Sequence, residues 1–411
     1  MSPPSSAGNR IAARALAVGL GLMLAALLLA RGFISQVERT TDPETRANIT
    51  EGAGRVRGFL QALPDIAARE DSALVFGSSI IQHGFSPEVF EAHLRGPRVT
   101  AYNLGFPGVD PEVQQLLAHR VAEAFQRGNH RARLMVVEFT PFQATLARGQ
   151  ASRYRELAQV KKALLSTPGD LAETALHSPE EASHLASLQA LGGRSPLAVT
   201  SLLEHQLLDG PPPAWWPGPR AEEPDTGRKA LIERVRAGRA RVEGRPVPEW
   251  DPLRRGEVRL VFEQTREDYL AWLRLRAAPE MLEGDLQWRV ETSDILELRF
   301  DERRVAAFVD VVRTLASVSE RTVLLLAPRN RAWVHLTPEG RARLAEVVAR
   351  LTRDTGVPVL DLTEAPEFTA EDFVDTTHLN ESSGRPKLSR RLAEELSPPA
   401  PPVAVEDAQE E

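Results

Sequence analysis

Cysteine is absent from the 411 residues. That excludes structural disulfides, thiolate metal sites and a cysteine nucleophile. It leaves the redox compartment open, because a chain without thiols tolerates either side of a membrane. A surplus of positive charge is also missing: 50 lysines and arginines face 57 aspartates and glutamates, a net charge of −7. A nucleic-acid partner is therefore not expected, since phosphate binding needs a basic surface. No internal repeat is visible. His93, His119, His130, His177, His184, His205 and His335 show no metal-ligand spacing. Apolar residues at 42% and charged residues at 26% instead describe a chain that is mostly globular. The length allows one to three domains.

One apolar run stands apart. Residues 15–30 (ALAVGLGLMLAALLLA) carry no charge, and Arg14 and Arg31 bracket them. If both arginines snorkel to the headgroups, 11–34 is long enough to span hydrocarbon. A cleaved signal peptide is the rival reading, but the best cleavage candidate ends at Ala30 with Leu28 two before it, not a small-x-small site. An uncleaved anchor is expected, with 1–10 as a cytoplasmic tail. Arg10 and Arg14 precede the span, while Arg31 and Arg39 after it are diluted by Glu38, Asp42 and Glu44. The slight positive-inside bias places the body outside the cytoplasm.

Beyond a polar stalk and first helix (35–70, the helix near 44–63), short apolar runs alternate with helical patterns. Strands are expected at 73–77, 99–103, 134–138, 322–327 and 357–361. Helices are expected at 87–94, 111–125, 303–317, 338–352 and 387–396. This alternation indicates a parallel sheet with helices on its faces. Between 143 and 299 it stops. That stretch reads as mostly helical, at roughly 150 residues too long for an ordinary loop, and is broken by the proline-rich segment around Trp215 and Trp216. The expected architecture is one α/β domain in two parts, 71–142 and 300–396, interrupted by a helical insertion. The Pro-rich, then acidic, tail 397–411 is expected to be disordered.

In open α/β sheets functional groups collect past the carboxyl ends of the strands. Gly77-Ser78-Ser79 follows the first strand. A strand-to-helix turn there exposes the Ser79 hydroxyl beside free backbone N–H groups. Asp375 and His378, three apart after the last strand, place carboxylate and imidazole on one side of a tight turn. A serine nucleophile needs such a base and such an orienter. Gly108, in the loop after the second strand, can offer a backbone N–H to an oxyanion, because without a Cβ it allows close approach. Each element alone is more often a turn, a solvated helix start or a turn glycine. Their convergence on one sheet edge is what points to acyl chemistry.

These residues resemble a known group. The first strand with Gly77-Ser78-Ser79, the segment 103–108 and Asp375-x-x-His378 are similar to blocks I, II and V of the SGNH/GDSL hydrolase superfamily. The nearest style is the membrane-anchored Gly-Ser-Ser branch, which includes D-alanyl-lipoteichoic acid biosynthesis and alginate O-acetylation proteins. The resemblance covers about 70–142 and 300–396. It implies a three-layer α/β/α, flavodoxin-like domain, with Ser79 as nucleophile and its N–H as one oxyanion donor. It further implies Gly108 as second donor, His378 as base and Asp375 as its orienter, with no cofactor and no metal.

Two departures accompany it. Ser78 stands where many members have aspartate. The third strand is followed by Glu138-Phe139-Thr140-Pro141-Phe142 rather than by Gly-x-Asn, whose asparagine donates to the oxyanion. Thr140 and Asn330 are the candidate replacements. Gln82 and His83, one helical turn past the serine, and Arg329 and Arg331 are weaker candidates for lining the pocket. Trp215-Trp216 is a candidate for sugar stacking or membrane contact.

The expected activity is that of an envelope-facing serine esterase or O-acyltransferase. Its substrate would be an acylated glycan or envelope polymer, and a membrane-bound O-acyltransferase is a candidate partner. The alternatives are a non-catalytic accessory protein of an acylation system and a lipid-directed esterase or thioesterase.

Overall fold

A computed structural model describes residues 6–40, 53–191, 274 and 276–398. The segment around Trp215 and Trp216, much of the inserted stretch, the start of the expected first helix and nearly all of the tail lie outside the described residues.

Five strands form one sheet: β1 (Ser72–Gly77), β2 (Thr100–Gly105), β3 (Leu134–Glu138), β4 (Thr322–Leu326) and β5 (Val359–Asp361). Their spatial order is β2-β1-β3-β4-β5, and every neighbouring pair is parallel. β5 starts later than its apolar pattern suggests, because Pro358 has no N–H to give to the ladder. Its carbonyl still accepts from Leu324 N–H at 2.9 Å.

Among the described residues the helices run in chain order. They are α1 (Ser6–Thr40), α2 (Ala53–Ala67), α3 (Ser79–Gly84), α4 (Pro87–His93), α5 (Pro111–Gly128), α6 (Leu146–Gln150) and α7 (Ser152–Leu165). Then follow α8 (Pro168–His177), α9 (Pro179–Ala190), α10 (Pro279–Ser293), α11 (Glu302–Ser317), α12 (Pro338–Thr355) and α13 (Gly384–Leu396). The described parts of the insertion, α6 to α10, are helical.

Strand alternation divides the core into two layers. Leu74, Phe76, Met135, Val137 and Leu324 face α2, α5 and α11 on one side. Ala73, Val75, Val136, Val323 and Leu325 face α3, α4 and α13 on the other. Both faces are covered, as an all-parallel sheet requires. The helix starts carry their own signals: Asp110 accepts from Val113 N–H at 2.9 Å, and Thr337 accepts from Gly340 N–H at 3.0 Å.

α1 is different. Its segment Ala17–Gln36 has a mean hydropathy of 2.1 and is only 7% buried. Leu29 is 75% exposed. It is the one described helix long and apolar enough to cross a membrane, a requirement shared by an anchor and a signal sequence.

The sheet's carboxyl edge depends on two glycines. Gly77 and Gly105 are register partners at the ends of β1 and β2. A Cβ on Gly105 would overlap the Gln82 backbone N–H and the Ser78 carbonyl, and one on Gly77 would overlap Glu138. α3 therefore rests directly on strand backbone. Gly105→Ala is expected to destabilise the fold by about 2–3 kcal/mol, because the clash is with backbone that has no rotamer to yield. A urea-denaturation midpoint indistinguishable from wild type would contradict this close approach.

Candidate active site

The functional groups are positioned by the ends of β1, β2 and β3 and by the loop after β5. Ser78 caps α3: its hydroxyl accepts from Ile80 N–H at 3.1 Å. Ser79 is thus the first residue of the helix, where a backbone N–H has no intrahelical acceptor. Asn103 closes the other end of α3, donating from Nδ2 to the carbonyls of Ile81 at 2.9 Å and Phe85 at 2.8 Å. Its Oδ1 accepts from Gly105 N–H at 3.0 Å. Arg55, on α2, binds the Gly105 and Asn103 carbonyls at 2.6 and 2.7 Å. A six-residue helix too short to stand alone is in this way fixed from both ends.

On this platform Ser79, His378 and Asp375 meet. His378 Nε2 is 2.8 Å from Ser79 Oγ, and His378 Nδ1 is 2.8 Å from Asp375 Oδ2. Asp375 Oδ1 accepts from the backbone N–H groups of Thr377 and His378, both at 2.8 Å. That turn fixes the carboxylate, and the carboxylate fixes the Nδ1–H tautomer, which leaves Nε2 free to accept the serine proton.

Burial works to raise the Asp375 pKa. The His378 ring, its hydrogen bond and the Arg289 guanidinium outweigh burial and hold the carboxyl well below the usual carboxylate range. Arg289 Nη2 lies 3.6 Å from Asp375 Oδ2, and Arg289 Nε lies 2.9 Å from Asp285. Asp285 in turn accepts from both the backbone and the hydroxyl of Thr376. α10, from the inserted region, therefore braces the loop that carries the base.

Behind the serine turn is a fully buried carboxyl, Glu138. It accepts from Ser78 N–H at 2.7 Å, from the Ser78 hydroxyl at 3.2 Å and from the Thr140 hydroxyl. Burial pushes its pKa above the ordinary range, and the three hydrogen bonds only partly offset that.

The expected oxyanion residues divide. Gly108 stands in the turn between β2 and α5 at the same sheet edge, with φ +59°, a conformation that favours glycine. Thr140 does not present its hydroxyl to Ser79. Glu138, two residues before it and buried with it, takes it, and the Ser78 hydroxyl lies within reach at 3.0 Å. Asn330 also departs from the expected role: it is 1% exposed, and its Nδ2 donates to the Asp375 carbonyl at 3.2 Å, behind the triad. The His83 ring meets the His378 ring edge-on, with centroids 5.2 Å apart. Arg329 pairs with Glu364, and Arg331 is exposed.

Sequence reading placed Asn103 only at the start of the 103–108 segment, and gave no role to Glu138, Arg55, Asp285 or Arg289. Glu138 carried a signal, as a lone acid closing an otherwise apolar strand. Arg55, Asp285 and Arg289 reach the site across 48 positions or more, with no local pattern to mark them.

Chemically, the arrangement is a hydroxyl, an imidazole and a carboxylate in one hydrogen-bonded relay at the carboxyl edge of a parallel sheet, the geometry that activates serine for attack on a carbonyl. Among the described residues no cluster of metal-ligating side chains accompanies it. No protein-family model matches the chain, and no curated protein matches it in sequence.

Proposed function

We propose that this chain is a membrane-anchored serine acyl hydrolase or O-acyltransferase of SGNH type, with its catalytic body outside the cytoplasm. The observation that carries this reading is the uninterrupted relay Ser79–His378–Asp375, with both links at 2.8 Å. The Ser79 oxygen attacks the ester carbonyl carbon, and its proton passes to His378 Nε2. Collapse of the tetrahedral intermediate breaks the C–O bond, and His378 returns the proton to the leaving alcohol. Water or a sugar hydroxyl then attacks the acyl-serine by the same steps in reverse order. The Ser79 and Gly108 N–H groups serve as oxyanion donors. The apolar N-terminal helix supports an envelope location, and hence an acylated glycan or envelope polymer as substrate.

A fluorophosphonate probe is expected to label the full chain at Ser79 and to leave Ser79→Ala unlabelled, as read by intact-mass spectrometry. A folded wild type that resists the probe would favour a second reading, a non-catalytic accessory protein of an acylation system. That reading draws on Thr140 and Asn330, whose donors face Glu138 and the Asp375 backbone rather than the serine.

A further inference from the structure

Beside the triad, between the carboxyl ends of β3 and β4, lies a cavity of about 60 Å³. Ile80, next to Ser79, and Thr377, between Asp375 and His378 in contact and in sequence, form its near wall. Its far wall is Phe139, Ile295, Leu298, Val334 and Leu336, each at most 6% exposed. The turn that carries Ile295 and Leu298 is held open by Asp294, which ends α10 in a left-handed conformation and accepts from Arg299 N–H at 2.8 Å. The walls are thus fixed before any ligand arrives.

We propose that this cavity binds the alkyl part of a short acyl chain, four to six carbons long, on the ester that Ser79 attacks. The proposal rests on the acyl-transfer reading above and adds the acyl group to it. The mostly apolar walls disfavour a sugar there. The Thr140 hydroxyl is held by Glu138, the Thr376 hydroxyl by Asp285 and the Thr377 hydroxyl by Asp375 at 3.3 Å. Arg329, at the rim, pairs with Glu364 through Nη2, and its Nε is a buried donor without a partner among the described residues. A sugar entering would leave most of its hydroxyls without the partners that water gave them, whereas an alkyl chain gives up nothing.

Size sets the length. One water needs roughly 10–15 Å³ of such space, so about 60 Å³ takes four to six heavy atoms. An acetyl methyl leaves most of the cavity empty, and a dodecanoyl chain overfills it.

The test uses the full chain in detergent with p-nitrophenyl esters from acetate to dodecanoate. From acetate to hexanoate, kcat/KM is expected to rise about fourfold per added methylene. Dodecanoate is expected to fall at least about tenfold below hexanoate, because overfilling a fixed cavity forces strain. Val334→Phe, which fills the cavity, is expected to lower the hexanoate-to-acetate ratio by about tenfold or more, on the same per-methylene scale. Phe142→Ala, on the half-buried outer wall, is expected to move the optimum to longer chains. A flat profile, or ratios unchanged in both folded variants, overturns the proposal.

Saturable binding of hexanamide to Ser79→Ala, lost in the Ser79→Ala/Val334→Phe double variant, separates the two layers of inference. Binding without any ester turnover keeps the acyl site and removes the hydrolase reading. Turnover without chain-length preference and without hexanamide binding removes the acyl site and keeps the chemistry.

Discussion

Asp375→Asn is expected to lower ester turnover by about ten-thousandfold while the fold survives. An asparagine oxygen in place of Oδ1 can keep both backbone hydrogen bonds, from Thr377 and His378, at the 2.8 Å seen for the carboxylate. Its amide group then faces His378 Nδ1. Two N–H groups cannot hydrogen-bond each other, so the ring must carry its proton on Nε2, pointing at Ser79. In that tautomer the imidazole cannot accept the serine proton. The measurement is kcat/KM against Ser79→Ala as the floor, with fluorophosphonate labelling rates as a second readout. A drop of less than tenfold removes Asp375 from the relay.

The same substitution has a signature in stability. The Asp375 pKa is held well below its ordinary value of 3.8. Its stabilising contribution is therefore complete above the unfolded-state pKa and is lost as pH falls through the native one. The asparagine variant lacks that loss, so the stability gap between wild type and variant narrows in acid.

Glu138→Ala is expected to cost about 3–5 kcal/mol, among the largest losses a single substitution produces. The change strands the Ser78 N–H and leaves the Thr140 hydroxyl only the Ser78 hydroxyl, 3.0 Å away, as a partner in a fully buried space. It also loosens the turn that aims Ser79, so labelling should slow together with stability. Glu138→Gln is the informative companion. Its carbonyl can accept from Ser78 N–H, and its amide can donate to the Thr140 hydroxyl. Because the native Glu138 pKa is raised above its ordinary 4.5, wild type is favoured below the unfolded-state pKa and loses stability as pH rises through the native one. Glu138→Gln removes that loss. Its melting temperature relative to wild type should improve as pH rises from the ordinary carboxylate range, and a difference independent of pH would show that burial does not raise the Glu138 pKa.

Much of this was legible in the sequence because the signals were local. Apolar runs of five or six residues marked β1 to β4, and periodic apolar positions such as Val113, Leu117 and Val121 marked α5. The order of serine, aspartate and histidine along one sheet edge followed from strand direction alone. The expected first helix, 44–63, is described only from Ala53 onward, and its start lies outside the described residues. Thr140 and Asn330 take other partners than expected: the Thr140 donor goes to Glu138, two residues before it and buried with it, and the Asn330 donor goes to a loop carbonyl 45 positions on that became its neighbour only on folding. The contact of Arg55 with Asn103 was invisible likewise, since nothing in either stretch announces a partner 48 positions away.

The brace from α10 to the histidine loop has a consequence for descent. Asp285 reaches Thr376 across 91 positions of chain, from a segment that interrupts the α/β frame to one that completes it. The interruption is therefore no passenger. A lineage that shed it would keep its sheet but forfeit the stiffness of the base, so the two stretches must be inherited, and must vary, as one.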